Sequence, residues 1–241
     1  MNIFKAEKIK LKNSKVLLSS IWIPIVCGLF SLFFGGTYNV IAQTIYWWLG
    51  SFLLFLLQLF VYINLTLEKK ANNNFNIESI HIKKSKIYIS KILLTTYYGV
   101  ISNIVLLLVI FFFRWSMPRN PFFDSTVKMI VGICMILLTS IWIIPLFILL
   151  ARKVSGIVVI LLNFIVSLLV IPFVASSRFY FLIPYTYPYK VGKNFFYIKE
   201  SGDIMRQPLM SVDKLELSIV IVLSFVLYIV LSIAVCRQDM E

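Results

Sequence analysis

Residues 129–150, MIVGICMILLTSIWIIPLFILL, and 154–175, VSGIVVILLNFIVSLLVIPFVA, are two charge-free runs of 22 residues separated only by Ala151, Arg152 and Lys153. A helix of that length rises about 33 Å, enough to cross a hydrocarbon core of about 30 Å. Lipid offers no partner to a bare backbone group, so a helix is the form such a run takes. The alternative, a membrane strand, needs segments of about ten residues with alternating polarity, and none is present. A three-residue link makes the two helices antiparallel neighbours.

The same pattern recurs on both sides, at 16–34, 45–67, 92–113 and 217–236. All 23 Lys and Arg, all 10 Asp and Glu, and the single histidine, His81, fall outside the six runs. The chain is 241 residues long and 60% hydrophobic, with a mean hydropathy of +0.93 and only 14% charged residues. That is too little charge to cover a soluble domain. The expectation is an all-α polytopic membrane protein forming one transmembrane permease domain over 1–241. It has six transmembrane helices, an N-terminal amphipathic surface helix, and a long outer loop between helices five and six. The first run follows five lysines, as a signal peptide would, but it lacks a small-residue cleavage site and is too long for an h-region. It reads as a retained helix.

Segments 1–15, 68–91, 151–153 and 237–241 carry 14 Lys and Arg in 47 residues, against 9 in 66 for the other loops. The positive-inside rule makes the first set cytoplasmic, with both termini inside a multi-pass cell-membrane protein. The net charge of +13 is thereby a topology signal and calls for no nucleic acid. Cys27, Cys134 and Cys236 all lie within runs, which leaves no disulfide framework and no metal-ligand spacing.

In residues 3–15, IFKAEKIKLKNSK, the lysines Lys5, Lys8, Lys12 and Lys15 share one helical stripe. Ile3, Phe4, Ile9 and Leu11 occupy the remaining arc, interrupted by Lys10. Two readings stand: a helix with its apolar arc among acyl chains and its lysines at anionic headgroups, or a solvated basic tail. Gln58, Asn64, Asn103 and Asn163 are expected to hydrogen-bond between helices, at about 0.6 kcal/mol each. The loop 176–216 holds nine aromatics between Phe179 and Tyr197, including IPYTYPYK at 183–190. Pro184 and Pro188 argue against a continuous helix there. It reads as an interfacial aromatic belt or as a partly re-entrant cap over an outward path.

No run contains Asp, Glu, Lys, Arg or His, so proton- or ion-coupled transport has no visible carrier group. HExxH, GxSxG and the P-loop GxxxxGK[ST] are all absent. The chain is expected to have no catalytic residue, no metal and no cofactor of its own. Active transport would need a separate ATPase.

The inner loop 68–91 reads EKKANNNFNIESIHIKKSKIYISK. Between Glu68 and Lys91 it offers a polar turn, a short segment 75–81 and a basic lead-in. Such a loop suits a coupling helix, with Phe75 and Ile80 as apolar anchors beside Ile77, Glu78 and His81. Glu68 is expected in an exposed pair with a neighbouring lysine, worth under about 1 kcal/mol.

With Glu68-Lys69-Lys70-Ala71 followed by an aromatic, SKIYISK at 85–91, the basic N-terminal helix and the IPYTYPYK loop, the chain resembles the permease subunits of type-2 ABC exporters. Among them it is most similar to the lantibiotic-immunity permeases of Gram-positive bacteria. The resemblance implies a cytoplasmic ABC ATPase dimer that holds ATP and Mg, a second permease, identical or related, membrane lipids around the pair, and an amphipathic peptide as cargo. Another cargo (a drug, an ion or a lipid-linked molecule) and a non-transporting scaffold or sensor remain the alternatives.

Overall fold

The computed structural model describes residues 3–12, 14–70, 84–117, 123–205 and 213–237. Among them the chain is helical, with no strand beyond one isolated bridge between Ile198 and Ile204. Five stretches of the described residues are long and apolar enough to cross a membrane: Val16–Lys69, Ser85–Ser116, Thr126–Ala151, Gly156–Val174 and Lys214–Arg237.

The first stretch is 54 residues long, about 80 Å if straight. It is not straight. Helix α2 (Val16–Trp47) is broken at Gly36, whose φ of 56° and ψ of −170° suit only glycine. The chain doubles back there. Cys27 Sγ donates to the Thr44 carbonyl at 3.6 Å, and the Phe30 ring lies 5.0 Å from Trp47 and 5.9 Å from Phe52. The expected outer turn over 35–44 thus shrinks to one residue, and helix resumes immediately after it. Its Gln43 is used in packing, Nε2 donating to the Ser201 carbonyl at 3.4 Å, and just beyond it the Tyr46 hydroxyl donates to the Glu200 carbonyl at 2.9 Å.

A single π-helical turn, Trp48–Phe52, leads into α3 (Leu53–Lys70). The next helix, α4 (Lys84–Ser116), runs antiparallel to it. Trp48 pairs with Asn103, Phe60 stands edge-on to Tyr98 at 5.9 Å, and Glu68 meets Lys91. A short helix, α1 (Ile3–Lys12), packs along the first part of α4.

The fourth expected helix, 129–150, is two helices, α5 (Thr126–Leu138) and α6 (Ile143–Ala151). Pro145 has no N–H for the Ile141 carbonyl, which instead accepts from Ile144 N at 3.1 Å, one turn tightened to three residues. Ser140 Oγ and Thr139 Oγ1 donate to the carbonyls of Ile136 and Met135 at 2.7 and 2.9 Å. After a short link comes α7 (Gly156–Val174).

The long loop contains more structure than its prolines suggest. Two 3-10 turns, Tyr180–Leu182 and Pro184–Thr186, precede α8 (Tyr187–Phe196). Pro188 sits in the first turn of α8, where no N–H is needed. This short helix is wedged into the bundle: a Cβ on Gly192 would lie 2.4 Å from Leu49, and one on Gly132 of α5 would lie 2.4 Å from the Phe196 ring. The aromatics therefore divide. Tyr187, Tyr189 and Phe196 are buried, while Phe179 and Phe181 stay exposed. The last helix, α9 (Lys214–Arg237), closes the bundle.

Gly36→Ala meets open space around its new methyl, so only the backbone opposes it. A loss of about 1–3 kcal/mol is expected from the strained φ. The thermal midpoint of detergent-purified protein should fall, and Gly36→Asn should lower it as much, since a ψ of −170° lies outside the left-handed helical well that asparagine tolerates.

Candidate functional site

Glu68 lies in the last turn of α3, where a carboxylate opposes the helix dipole. Two cations offset this. Lys10 Nζ from α1 reaches Glu68 Oε1 at 2.8 Å, and Lys91 Nζ from α4 donates to Oε2. Lys10 also pairs with Glu7 of its own helix at 3.4 Å. The Lys91 side chain is only 2% exposed and stands 5.0 Å from the centre of the Tyr88 ring, with Arg152 over the same ring at 4.5 Å. Three helices and the link after α6 thus meet at one cluster of charges.

The sequence led to an exposed, weak pair for Glu68; the structure corrects this. Burial changes the energetics, because removing one partner of a desolvated pair strands the other without water or counter-charge. Lys10 and Glu7 were not anticipated as members. Their signal is Lys10 itself, a cation on the apolar arc of α1.

Glu68 and Lys91 bracket the segment 69–90, and their pairing holds its two ends together. Phe75, Ile77, Glu78, Ile80 and His81, the expected coupling segment, lie outside the described residues. On α1, Phe4, Glu7 and Leu11 turn toward the protein, while Lys5, Lys8 and Ile9 face away. The apolar arc is thus largely spent on α4 rather than on acyl chains. Lys8 reaches the Tyr97 hydroxyl at 3.4 Å, and Lys15 is exposed just before α2. Lys12 ends α1.

The intramembrane amides mostly behave as expected. Trp48 Nε1 donates to Asn103 Oδ1 at 2.8 Å, and Asn163 Nδ2 to Gln58 Oε1 at 2.9 Å. The Tyr185 hydroxyl donates to Asn163 Oδ1, and burial pushes its pKa up to about 12, so it remains a donor at neutral pH. Asn64 is the exception: it is 1% exposed, and neither of its amide atoms has a protein partner. It lies one helical turn before Glu68, on the same face.

No group of three or more His, Cys, Asp or Glu able to hold a metal occurs among the described residues. No family model matches the chain, and no curated protein matches its sequence.

Glu68→Gln should destabilise the protein by about 3–5 kcal/mol by stranding buried Lys91. The double variant Glu68→Gln/Lys91→Met should recover much of that loss. Thermal unfolding of the single and double variants measures the coupling; strictly additive losses would show that the two groups act independently.

Proposed function

We propose that this chain is the membrane-spanning permease subunit of an ATP-driven ABC exporter that expels a lantibiotic or similar amphipathic peptide. The observation that carries the reading is the Glu68–Lys91 pair, which ties together the two ends of the loop expected to meet a motor. A force applied to that loop passes into α3, α4 and, through Lys10, α1 as one unit. The resemblance of the loop and its flanks to type-2 exporter permeases supports the same reading, as does the lack of a P-loop.

In this reading the two helices either side of Gly36 both cross the bilayer. The protein then has six spans, with both termini and the Glu68 cluster cytoplasmic. A dimer of ABC ATPases supplies ATP hydrolysis with Mg, and a second permease completes the pathway. Residues 75–81 form the coupling helix, and Lys5, Lys8, Lys12 and Lys15 face anionic headgroups.

Purified from its own membranes, the wild-type chain should bring an ABC ATPase with it. Phe75→Ala removes an interface aromatic worth about 2 kcal/mol, so recovery should fall about 30-fold in affinity terms, with membrane levels unchanged. Recovery of no ATPase by wild type would replace the exporter with a scaffold. In intact cells, cysteines introduced at Asn74 and at exposed Ser201 should label from opposite sides; labelling of both from outside would overturn the six-span topology.

A further inference from the structure

Leu57, Phe60, Asn64 and Glu68 follow one another on α3 at helical spacing, so they form a single stripe. On α4 a matching stripe is made by Lys91, Thr95, Tyr98 and Ser102. The two stripes face each other. A Cβ on Gly99 would lie 2.9 Å from Leu57, the Phe60 and Tyr98 rings stand 5.9 Å apart, and Glu68 meets Lys91. The antiparallel register of these contacts sets Asn64 across from Thr95.

Asn64 is 1% exposed and Thr95 3%. Polar residues in such a seam ordinarily bond from helix to helix. Asn64 does not, for neither its amide nitrogen nor its oxygen has a protein partner. Ser102, further along, is satisfied within its own helix, donating to the Tyr98 carbonyl at 3.0 Å. The unmet amide therefore costs free energy only while the seam is closed, since water would satisfy both of its atoms. Water is near. Glu68 lies one turn away, about 6 Å of helix, and its side chain is 15% exposed. In the other direction the aromatic pair and the Leu57–Gly99 contact shut the seam.

We infer that water and small hydrophilic molecules enter the α3–α4 seam from the Glu68 end as far as Asn64 and Thr95, and that the Glu68–Lys91 pair is the closure over this cleft. Parting the pair strands neither charge. Glu68 keeps Lys10 on its other oxygen, and Lys91 gains the entering water. Hydration of Asn64 and separation of the pair thus favour each other, because water binds the open seam alone. The inference uses only this geometry and stands apart from the exporter reading.

The test is the reaction of an introduced thiol with 2-aminoethyl methanethiosulfonate, a small water-borne reagent. The protein is held in nanodiscs, and the product is read by mass spectrometry on the peptide carrying the new cysteine. Thr95→Cys leaves Asn64 in place and should react about tenfold faster than Ser102→Cys, because local opening near a helix end costs less than opening in mid-bundle. Adding Asn64→Leu removes the unmet amide from the closed seam and should slow Thr95→Cys about tenfold. Glu68→Gln should speed Thr95→Cys and leave Ser102→Cys slow. Equal rates at positions 95 and 102, or a rate at 95 indifferent to Asn64→Leu or to Glu68→Gln, would each overturn the inference. Should Glu68→Gln fail to fold, the first two comparisons decide alone, since both leave the ion pair intact.

Discussion

A carboxylate removed from water must be accompanied by a cation, and this constraint organises both ends of the bundle. Along most of its length the chain avoids the difficulty by excluding ionised groups from its apolar runs. Where helices end and non-spanning pieces must be moored, charges return, and they return in pairs. Glu68 holds α1, α3 and α4 in one cluster, and Glu216 holds α8 against α9. Both carboxylates pair with a lysine set against a tyrosine ring, Tyr88 in one case and Tyr180 in the other. The apolar helices between the two ends need only shape to associate, but each short helix is fixed in direction by ionic contacts.

The middle of the bundle carries a different set of constraints. Two helices lose their regular ladder there, one at the π turn Trp48–Phe52 and one at residues 139–142. At the second break side-chain hydroxyls take up the slack, Thr139 and Ser140 donating to the carbonyls of Met135 and Ile136. Irregular backbone is tolerated inside a membrane protein where neighbours can satisfy it, and residues 139–142 meet that condition. Side-chain bonds join the helices nearby, from Trp48 to Asn103 and from Tyr185 through Asn163 to Gln58. Trp142 Nε1 and both amide atoms of Asn64 remain buried without a protein partner. Each such group weighs against this packing by about 1–3 kcal/mol, which narrows the margin by which it is preferred.

The helices themselves were legible in the sequence because charge exclusion is a one-dimensional signal. Their interruptions were less so. The stretch 37–44 looks like a loop because it is polar for a span, yet Gln43 spends that polarity on the carbonyl of Ser201, 158 positions away. The break at 139–142 was hidden among uniformly apolar neighbours, with Pro145 its only trace. Pro188 was read as a helix breaker, although in a first turn the same residue is a helix starter. Lys190 and Glu216 were counted as loop charges, since 26 positions of chain conceal their contact. The Asp213-x-x-Glu216 spacing was the available clue, pointing to a helix start at 214. Glu68 and Lys91 bound the segment 68–91 in the sequence, but their contact with Lys10, and so the place of α1 in the cluster, is something no local pattern reveals.

The mooring of α8 also sets an order of assembly. The helix emerges from the ribosome before its anchor, because Glu216 follows Lys190 by 26 residues and opens the last apolar helix. At about 5–20 residues per second, the wedge waits one to several seconds for its carboxylate. During that interval Lys190 has no buried counter-charge, and α8 has reason to stay in water or at the headgroups. Insertion of the wedge into the bundle thus waits until α9 arrives. A nascent chain stopped just short of α9 would carry every other helix and still present an unsealed core.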